Sequence, residues 1–119
     1  MVATVLSVSN ATKRFGGLVA VNNLSFDVNS DEVMGIIGPN GSGKTTMMNL
    51  ISGALRLSEG SISLDGQFIS SLTANQINQR GIARTFQLVR ILPSLTVVEN
   101  CMAGMVFGHR RIWGDQARY

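Results

Sequence analysis

The sequence predicts an α/β fold in which an antiparallel β-hairpin precedes a strand, a glycine-rich loop and a helix. Three observations lead to this prediction. Two segments rich in β-forming residues flank the turn FGGL, a short apolar run ends at Gly38, and the stretch GPNGSGKTT (residues 38–46) continues directly from that run. With 119 residues, the chain has room for one domain or for part of a larger one.

The first three strands are predicted from residue type and periodicity. Residues 2–8 alternate weakly, and residues 20–28 (AVNNLSFDV) form a second β-rich run after the paired glycines Gly16 and Gly17, which indicates an antiparallel hairpin. Residues 32–38 (EVMGIIG) are almost continuously apolar, as expected of a strand buried on both faces of a parallel sheet.

The rest of the chain contains several turn and helix signals. Helix formers after the glycine-rich loop stop at Gly53, a plausible glycine beyond a helix end. Asp65-Gly66 predicts a two-residue hairpin turn between residues 61–64 and 67–69. Residues 73–79 suggest a short polar helix and residues 82–86 a further strand.

A last helix is predicted from about Thr96 to about Phe107. Thr96 and Glu99 have the spacing of a capping box, in which each side chain bonds the backbone N–H of the other residue. The single cysteine, Cys101, falls on this helix, where we expect it to be buried, and it excludes an internal disulfide.

Charge and hydropathy exclude several functions. The net charge of +3 arises in residues 61–119, without aromatic interleaving or a basic helical stripe, so we predict no nucleic-acid partner. The longest apolar runs are much shorter than the roughly 20 residues of a transmembrane helix. Hydrophobic residues make up 45% of the chain and the mean hydropathy is +0.21, values typical of a globular protein.

The stretch GPNGSGKTT matches the phosphate-binding pattern G-x-x-x-x-G-K-[ST], known as the P-loop. Glycines let successive backbone N–H groups converge on an anion, and the helix that follows adds its own free N–H groups. Lys44 supplies a charge for the β- and γ-phosphates, and the Thr45 hydroxyl suits Mg²⁺. The alternative is a glycine-rich turn that precedes a lysine by chance. The predicted nucleotide-binding residues of this loop are Gly38, Asn40, Gly41, Ser42, Gly43, Lys44, Thr45 and Thr46.

With this loop, the segments ATKRFGGLVAVNNLSFDV and GIARTFQ resemble the ATP-binding subunits of ABC transporters. FGGLVAVNN, INQRGIARTFQ and LPSLTVVEN are most similar to the subunits of branched-chain amino acid importers. The resemblance extends to about Phe107. It implies an α/β P-loop NTPase core preceded by an antiparallel β hairpin, as in an ABC-type nucleotide-binding domain. Residues 1–119 would be the N-terminal part of this domain, truncated after the family's Q-loop, the segment around Gln87.

The resemblance also implies roles for two residues outside the loop. Phe15 would stack on adenine, although from its spacing alone it could instead be a core residue of the hairpin. Gln87 would be the catalytic Q-loop glutamine that contacts Mg²⁺ and the attacking water. Residues 88–95, in themselves an apolar loop, would meet the membrane subunit. The implied cofactors are therefore ATP and Mg²⁺.

Motifs needed for hydrolysis in this family are not found in the 119 residues. There is no Walker B acidic residue after an apolar strand, no LSGGQ signature and no switch histidine, since His109 does not match that position. The only Asp-Glu pair, Asp31-Glu32, precedes the P-loop. We therefore expect the N-terminal portion of an ATPase domain, with an apolar edge exposed at residues 33–37.

Several functions follow from the resemblance and stay open at this point. The chain would be the ATP-binding segment of an ATPase that energises import of branched-chain amino acids or similar solutes. Alternatives are a non-hydrolysing nucleotide-binding module or a non-functional remnant; a GTPase or kinase is less favoured, since no N-K-x-D occurs. The implied partners are permease subunits, a second ATP-binding subunit and, indirectly, a solute-binding protein, with the chain peripheral at the cytoplasmic membrane face.

Overall fold

The computed structural model describes residues 3–108, which fall into two compact units. The boundary between unit 1 and unit 2 lies between Ala74 and Asn75. The described elements in chain order are β1 (Thr4–Phe15), β2 (Leu18–Asn29), α1 (Lys44–Ile51), β3 (Glu59–Leu64), β4 (Gln67–Phe68), α2 (Ala74–Gln79) and α3 (Val97–Gly108). No helix among residues 3–108 is long and apolar enough to span a bilayer.

The N-terminal hairpin is confirmed, and its strands are longer than the β-rich runs in the sequence. β1 and β2 pair antiparallel from Thr4↔Asn29 to Phe15↔Leu18, so the turn consists of Gly16 and Gly17 alone. The full sheet has the order β2-β1-β3-β4, and every neighbouring pair is antiparallel. The hairpin turn therefore places Phe15 and Leu18 side by side at one end of the sheet.

The second predicted hairpin is also confirmed. β3 and β4 pair antiparallel across Asp65-Gly66, whose φ angles of 48° and 75° are both positive. Two positive φ angles are the geometry that Asp-Gly favours in a two-residue hairpin turn. The pairing continues beyond β4, because the Ile69 N–H donates to the Ile62 carbonyl at 2.9 Å.

Helix α1 covers the core of unit 1 with one apolar face. Met47, Leu50 and Ile51 are buried at the spacing of a single helical face, and the helix contacts β2. The predicted stop is confirmed, since Gly53 follows the helix with a φ of 75°. The other buried apolar residues of unit 1 are Val8, Ala11, Val21, Ile62 and Ile69.

The strand predicted at residues 32–38 is wrong. These residues pair with none of the described strands, and Val33 and Ile37 are 99% and 97% exposed. A strand requires a neighbour that bonds its N–H and C=O groups, and the described strands all belong to the antiparallel sheet. The predicted exposure of residues 33–37 is confirmed, although as an irregular segment and not as the edge of a sheet.

The short polar helix is confirmed as α2, with Ile77 buried, but the strand predicted at residues 82–86 is wrong. The Ile82 N–H donates to the Ile77 carbonyl at 3.4 Å, and the Asn78 amide donates to the Ile82 carbonyl at 3.2 Å. The backbone of Ile82 is thus bonded to the end of α2, and the remaining residues of the run lie in a loop.

Helix α3 begins with the predicted capping box. The Thr96 N–H donates to Glu99 Oε2 at 2.7 Å, and the Glu99 N–H donates to Thr96 Oγ1 at 3.3 Å. The expectation for Cys101 is wrong, because this side chain is exposed on α3, where none of the side chains described is buried. His109 lies outside the described residues.

Candidate functional site

Unit 1 contains a groove of about 370 Å³ beside the glycine-rich loop. Three segments form its wall: the turn between β1 and β2 with the start of β2, the loop, and the first turn of α1. Its lining residues are Phe15, Leu18, Val19, Ala20, Asn40, Gly41, Gly43, Lys44, Thr45 and Thr46. This size and concave form are typical of a small-molecule site.

The loop reaches the groove through a close backbone contact at Gly43. A Cβ atom on Gly43 would lie 2.4 Å from the Ala20 carbonyl oxygen, a separation that real Cβ atoms do not adopt. Gly43 also has a φ of 92°, in the left-handed region that favours glycine. The residue type therefore allows the loop to lie directly against β2.

The N-terminus of α1 presents backbone donors that the helix itself does not use. The Met47 N–H is the first to bond back, to the Gly43 carbonyl at 2.8 Å, so the preceding N–H groups of the first turn have no intrahelical acceptor. Among the described residues, no side chain caps this end, and the first turn has no acidic residue. These donors and the positive end of the helix dipole together favour an anion in the groove.

The Lys44 ammonium is held over the loop by three acceptors. It donates to the carbonyls of Gly38 and Pro39 at 2.6 and 2.7 Å and to Ser42 Oγ at 3.3 Å. These bonds fix the positive charge of a residue that lines the groove. They also give roles to Gly38 and Ser42, which do not line the groove but orient the lysine that does.

Phe15 lies in the same groove as the loop, with 45% of its surface exposed. Phe15 is therefore not a fully buried core residue of the hairpin, which was the alternative that its spacing allowed. The Lys13 ammonium lies 5.0 Å from the ring centroid, within the range of a cation–π interaction. The structure places Phe15 and Lys44, whose ammonium is fixed by the loop, in one groove, while adenine stacking on Phe15 stays a prediction.

Gln87 belongs to unit 2, where it is exposed in the loop between α2 and α3. It lines a second cavity, of about 910 Å³, whose wall consists of the consecutive residues 84–90 and contains no residue of the glycine-rich loop. The larger cavity therefore lacks the phosphate-binding features of the groove in unit 1. The catalytic and metal-binding roles of Gln87 stay predictions.

Residues 88–95 form an exposed apolar loop that α3 holds in place. Leu88 and Val89 are 83% and 80% exposed. The Asn100 amide donates to the Leu92 and Leu95 carbonyls, each at 3.1 Å, and its oxygen accepts the Leu92 N–H at 2.9 Å. The proposed role of this loop at a membrane subunit stays a prediction.

Three groove residues, Leu18, Val19 and Ala20, were missed by the sequence analysis. They begin β2 and lie beside the end of β1, where Phe15 pairs with Leu18. The turn of Gly16 and Gly17 could have indicated them, because a two-residue hairpin turn places the start of β2 beside Phe15 at the end of β1. The bond from Lys44 to the Pro39 carbonyl could not be predicted from the pattern of side chains, because its acceptor is a backbone atom.

A glycine-rich loop, a helix N-terminus and a fixed lysine around one groove define the class of P-loop nucleotide-binding proteins. A family model described as ABC transporter matches residues 21–118. The chain therefore belongs to the ABC transporter family.

Two similar proteins act in amino acid transport. The chain is 43% identical over 108 residues to the high-affinity branched-chain amino acid transport ATP-binding protein BraF of Pseudomonas aeruginosa, covering 91% of this chain and 41% of BraF. It is 43% identical over 98 residues to the corresponding protein LivG of Escherichia coli, covering 82% of this chain and 38% of LivG. The chain thus spans about two-fifths of the length of these relatives.

Solved structures of ABC transporter cassettes share the fold. One, an ATP-binding cassette in its ADP conformation, is 38% identical with a TM-score of 0.78, over 87% of this chain and 41% of that chain. A dimeric bacterial ABC transporter cassette is 28% identical with a TM-score of 0.76, over 88% of this chain and 48% of that chain. The predicted fold class is confirmed by these likenesses.

Proposed function

We propose that this chain binds ATP in the groove of unit 1, as the nucleotide-binding segment of an ATPase subunit of an ABC importer for branched-chain amino acids or similar solutes. The observation that carries the proposal is that Lys44, the first turn of α1 and Phe15 all line one groove. These groups match the two ends of a nucleotide, since the first two attract phosphates and the third offers a face for a base.

The phosphates would bind where the loop meets α1. Free N–H groups at the start of α1 donate to the phosphate oxygens, and the Lys44 ammonium adds a charge-assisted bond to the terminal phosphates. The ammonium can exchange its longest bond, 3.3 Å to Ser42 Oγ, for a phosphate oxygen while it keeps its bonds to two carbonyls. The loop thereby keeps the lysine oriented during binding.

Thr45 is the residue of the groove that fits Mg²⁺. Thr45 lines the groove within the first turn of α1, and its hydroxyl is the neutral oxygen ligand that the P-loop pattern assigns to a hard ion, which also retains water and phosphate ligands. When bound, the ion would neutralise charge on the phosphates. We propose Gln87 as a second oxygen ligand and as the residue that orients the attacking water, as the resemblance to the family implies.

The proposal assigns nucleotide binding to these 119 residues by themselves, and the role of Gln87 in turnover belongs to the whole ATPase subunit. None of the described residues that line the groove is a carboxylate or histidine, so its wall offers no general base. A non-hydrolysing nucleotide-binding module is the second candidate for the same reason. Steady phosphate release from ATP by the isolated chain would contradict this assignment.

The proposed partners and location follow from the similar proteins. BraF and LivG are named for branched-chain amino acid transport, and a cassette of the family forms a dimer. We propose permease subunits, a second ATP-binding subunit and, indirectly, a solute-binding protein as partners, with the chain peripheral at the cytoplasmic face of the membrane. No nucleic-acid partner is proposed.

A series of nucleotides tests the proposed binding mode. The chain is titrated with ATP, ADP and AMP in the presence of Mg²⁺, and binding is measured by calorimetry. The affinity should fall each time a phosphate is removed. The reason is that each lost phosphate removes bonds to Lys44 or to the start of α1. Equal affinities for ATP and AMP would show that the loop does not bind the terminal phosphates.

A further inference from the structure

Lys13 and Phe15 form a pair at the end of β1. The Lys13 ammonium lies 5.0 Å from the centre of the Phe15 ring. Residues two apart on a strand share one face, which brings the lysine stem alongside the ring. Phe15 lines the groove, whereas Lys13 does not, so the Phe15 ring is the part of the groove wall that the lysine contacts.

The ammonium of Lys13 is held in place independently of the ring. It donates to the Arg56 carbonyl at 2.8 Å. The segment that follows Arg56 is fastened to β1, because the Ser58 N–H donates to the Thr12 carbonyl at 2.9 Å and Ser58 Oγ accepts the Arg14 N–H at 3.0 Å. The acceptor of Lys13 is therefore fixed relative to the strand that carries Phe15.

Arg14 adds an ion pair to the same connection. Its guanidinium bonds the Glu59 carboxylate at the start of β3, beside Ser58. Successive residues of β1 thus have different functions at this site. Arg14 ties the strand to residues 58–59, and Lys13 reaches from the strand to the Arg56 carbonyl across the Phe15 ring.

We propose that Lys13 is a positioning residue that holds the Phe15 ring in the orientation that receives the base of the nucleotide. The proposal rests on the proposed function, since it concerns the base end of the same groove. A ring that is 45% exposed has room for other side-chain rotamers, and the cation–π contact favours the one observed. If the competent orientation becomes less populated, the apparent affinity for the base falls in proportion.

The contact also changes the face that the base would meet. A cation near the ring withdraws electron density from it and makes stacking on an electron-rich purine more favourable. Both effects act on the base, whereas the direct attraction of the Lys13 charge for phosphates acts on a polyphosphate with or without a base. Lys13 should therefore contribute to selectivity for a nucleotide over a bare chain of phosphates.

The test compares ATP with inorganic tripolyphosphate, which carries the phosphates but no base. In the full 119-residue chain, Lys13→Met should weaken ATP binding roughly two- to fivefold relative to tripolyphosphate binding. Lys13→Arg, which keeps a cation near the ring, should restore the ratio of the two affinities. In a Phe15→Ala background, Lys13→Met should leave the ratio unchanged, because the ring through which the lysine acts is gone.

The outcomes separate the two proposals. The positioning role would be overturned if Lys13→Met weakened the binding of ATP and of tripolyphosphate by the same factor. It would also be overturned if Lys13→Met changed the ratio of the two affinities equally with and without Phe15. Both outcomes would leave the proposed nucleotide site unaffected. If the unaltered chain binds neither ATP nor tripolyphosphate, the proposed function fails and the positioning role fails with it. Far-UV circular dichroism of each variant checks that the hairpin is intact, and the ratio of affinities cancels any change in the folded fraction.

Discussion

Gly43 combines three features of the groove at one residue. It ends the phosphate-binding loop, it is the N-cap of α1, and its backbone lies against the Ala20 carbonyl of β2. A φ of 92° and the absence of a side chain make all three compatible. The position of the loop relative to β2 therefore depends on this glycine more directly than on any charged residue.

Replacement of Gly43 should be more harmful than replacement of Gly41 in the same loop. Gly41→Ala meets no atom within 4 Å but must adopt a φ of 83°, which costs about 1–2 kcal/mol. Gly43→Ala bears a similar backbone cost, and its Cβ would also meet the Ala20 carbonyl oxygen at 2.4 Å. Urea denaturation followed by circular dichroism should show the lower midpoint for Gly43→Ala; equal midpoints would show that the loop moves away from β2 without cost.

For individual residues, the sequence predicted the P-loop pattern, and it did not predict the contact between Gly43 and Ala20. Gly38, Gly43 and Lys44 were predicted because the spacing of the P-loop is local and each residue type has a separate physical reason. The approach of Gly43 to Ala20 was not predictable, because it depends on where β2 lies beside the loop.

Helix α3 is the element whose start is most fully determined by side chains. Thr96 donates two hydrogen bonds to the Glu99 carboxylate, and both lower the pKa of Glu99. The bond from the backbone N–H has the larger effect, and the bond from the hydroxyl has the smaller one. Because the folded-state pKa lies below the unfolded value, the ionised carboxylate stabilises the helix start above the unfolded pKa. That contribution is lost as the pH falls through the lowered pKa.

The capping box should therefore respond to acid. In an NMR titration, the Thr96 amide proton should shift with a midpoint below the usual pKa of glutamate, as protonation of Glu99 weakens the bond that this N–H donates. Glu99→Gln keeps an acceptor at the same position and removes the charge, so its Thr96 amide should not titrate in this range. A midpoint at or above the usual value would show that the box does not form in solution.

Among the elements, hairpins and caps were predicted well, and isolated apolar runs were not. Asp65-Gly66 and Thr96 with Glu99 specify a turn and a helix start through bonds within a few residues. Residues 32–38 and 82–86 have the composition of strands, but a strand forms only where a neighbouring strand bonds it. Composition alone could not supply that neighbour.

Across the described part of the chain, burial and apolar character are unevenly distributed. Unit 1 has a core of residues from β1, β2, α1 and β3, and the groove lies within this unit. Exposed apolar side chains are concentrated in residues 33–37 and in residues 86–106 of unit 2. The candidate site therefore rests on a part of the molecule that buries apolar side chains.

Calorimetric titration of ATP into the unaltered chain and into Lys44→Ala tests the central claim, that the glycine-rich loop binds a nucleotide triphosphate. Since bonds to charged groups contribute about 1.5–3 kcal/mol, the loss of this ammonium should weaken binding roughly 10- to 100-fold. Arg80→Ala removes the same charge from an exposed residue of unit 2 and should bind ATP as the unaltered chain does. Equal affinity of Lys44→Ala and the unaltered chain would contradict the account.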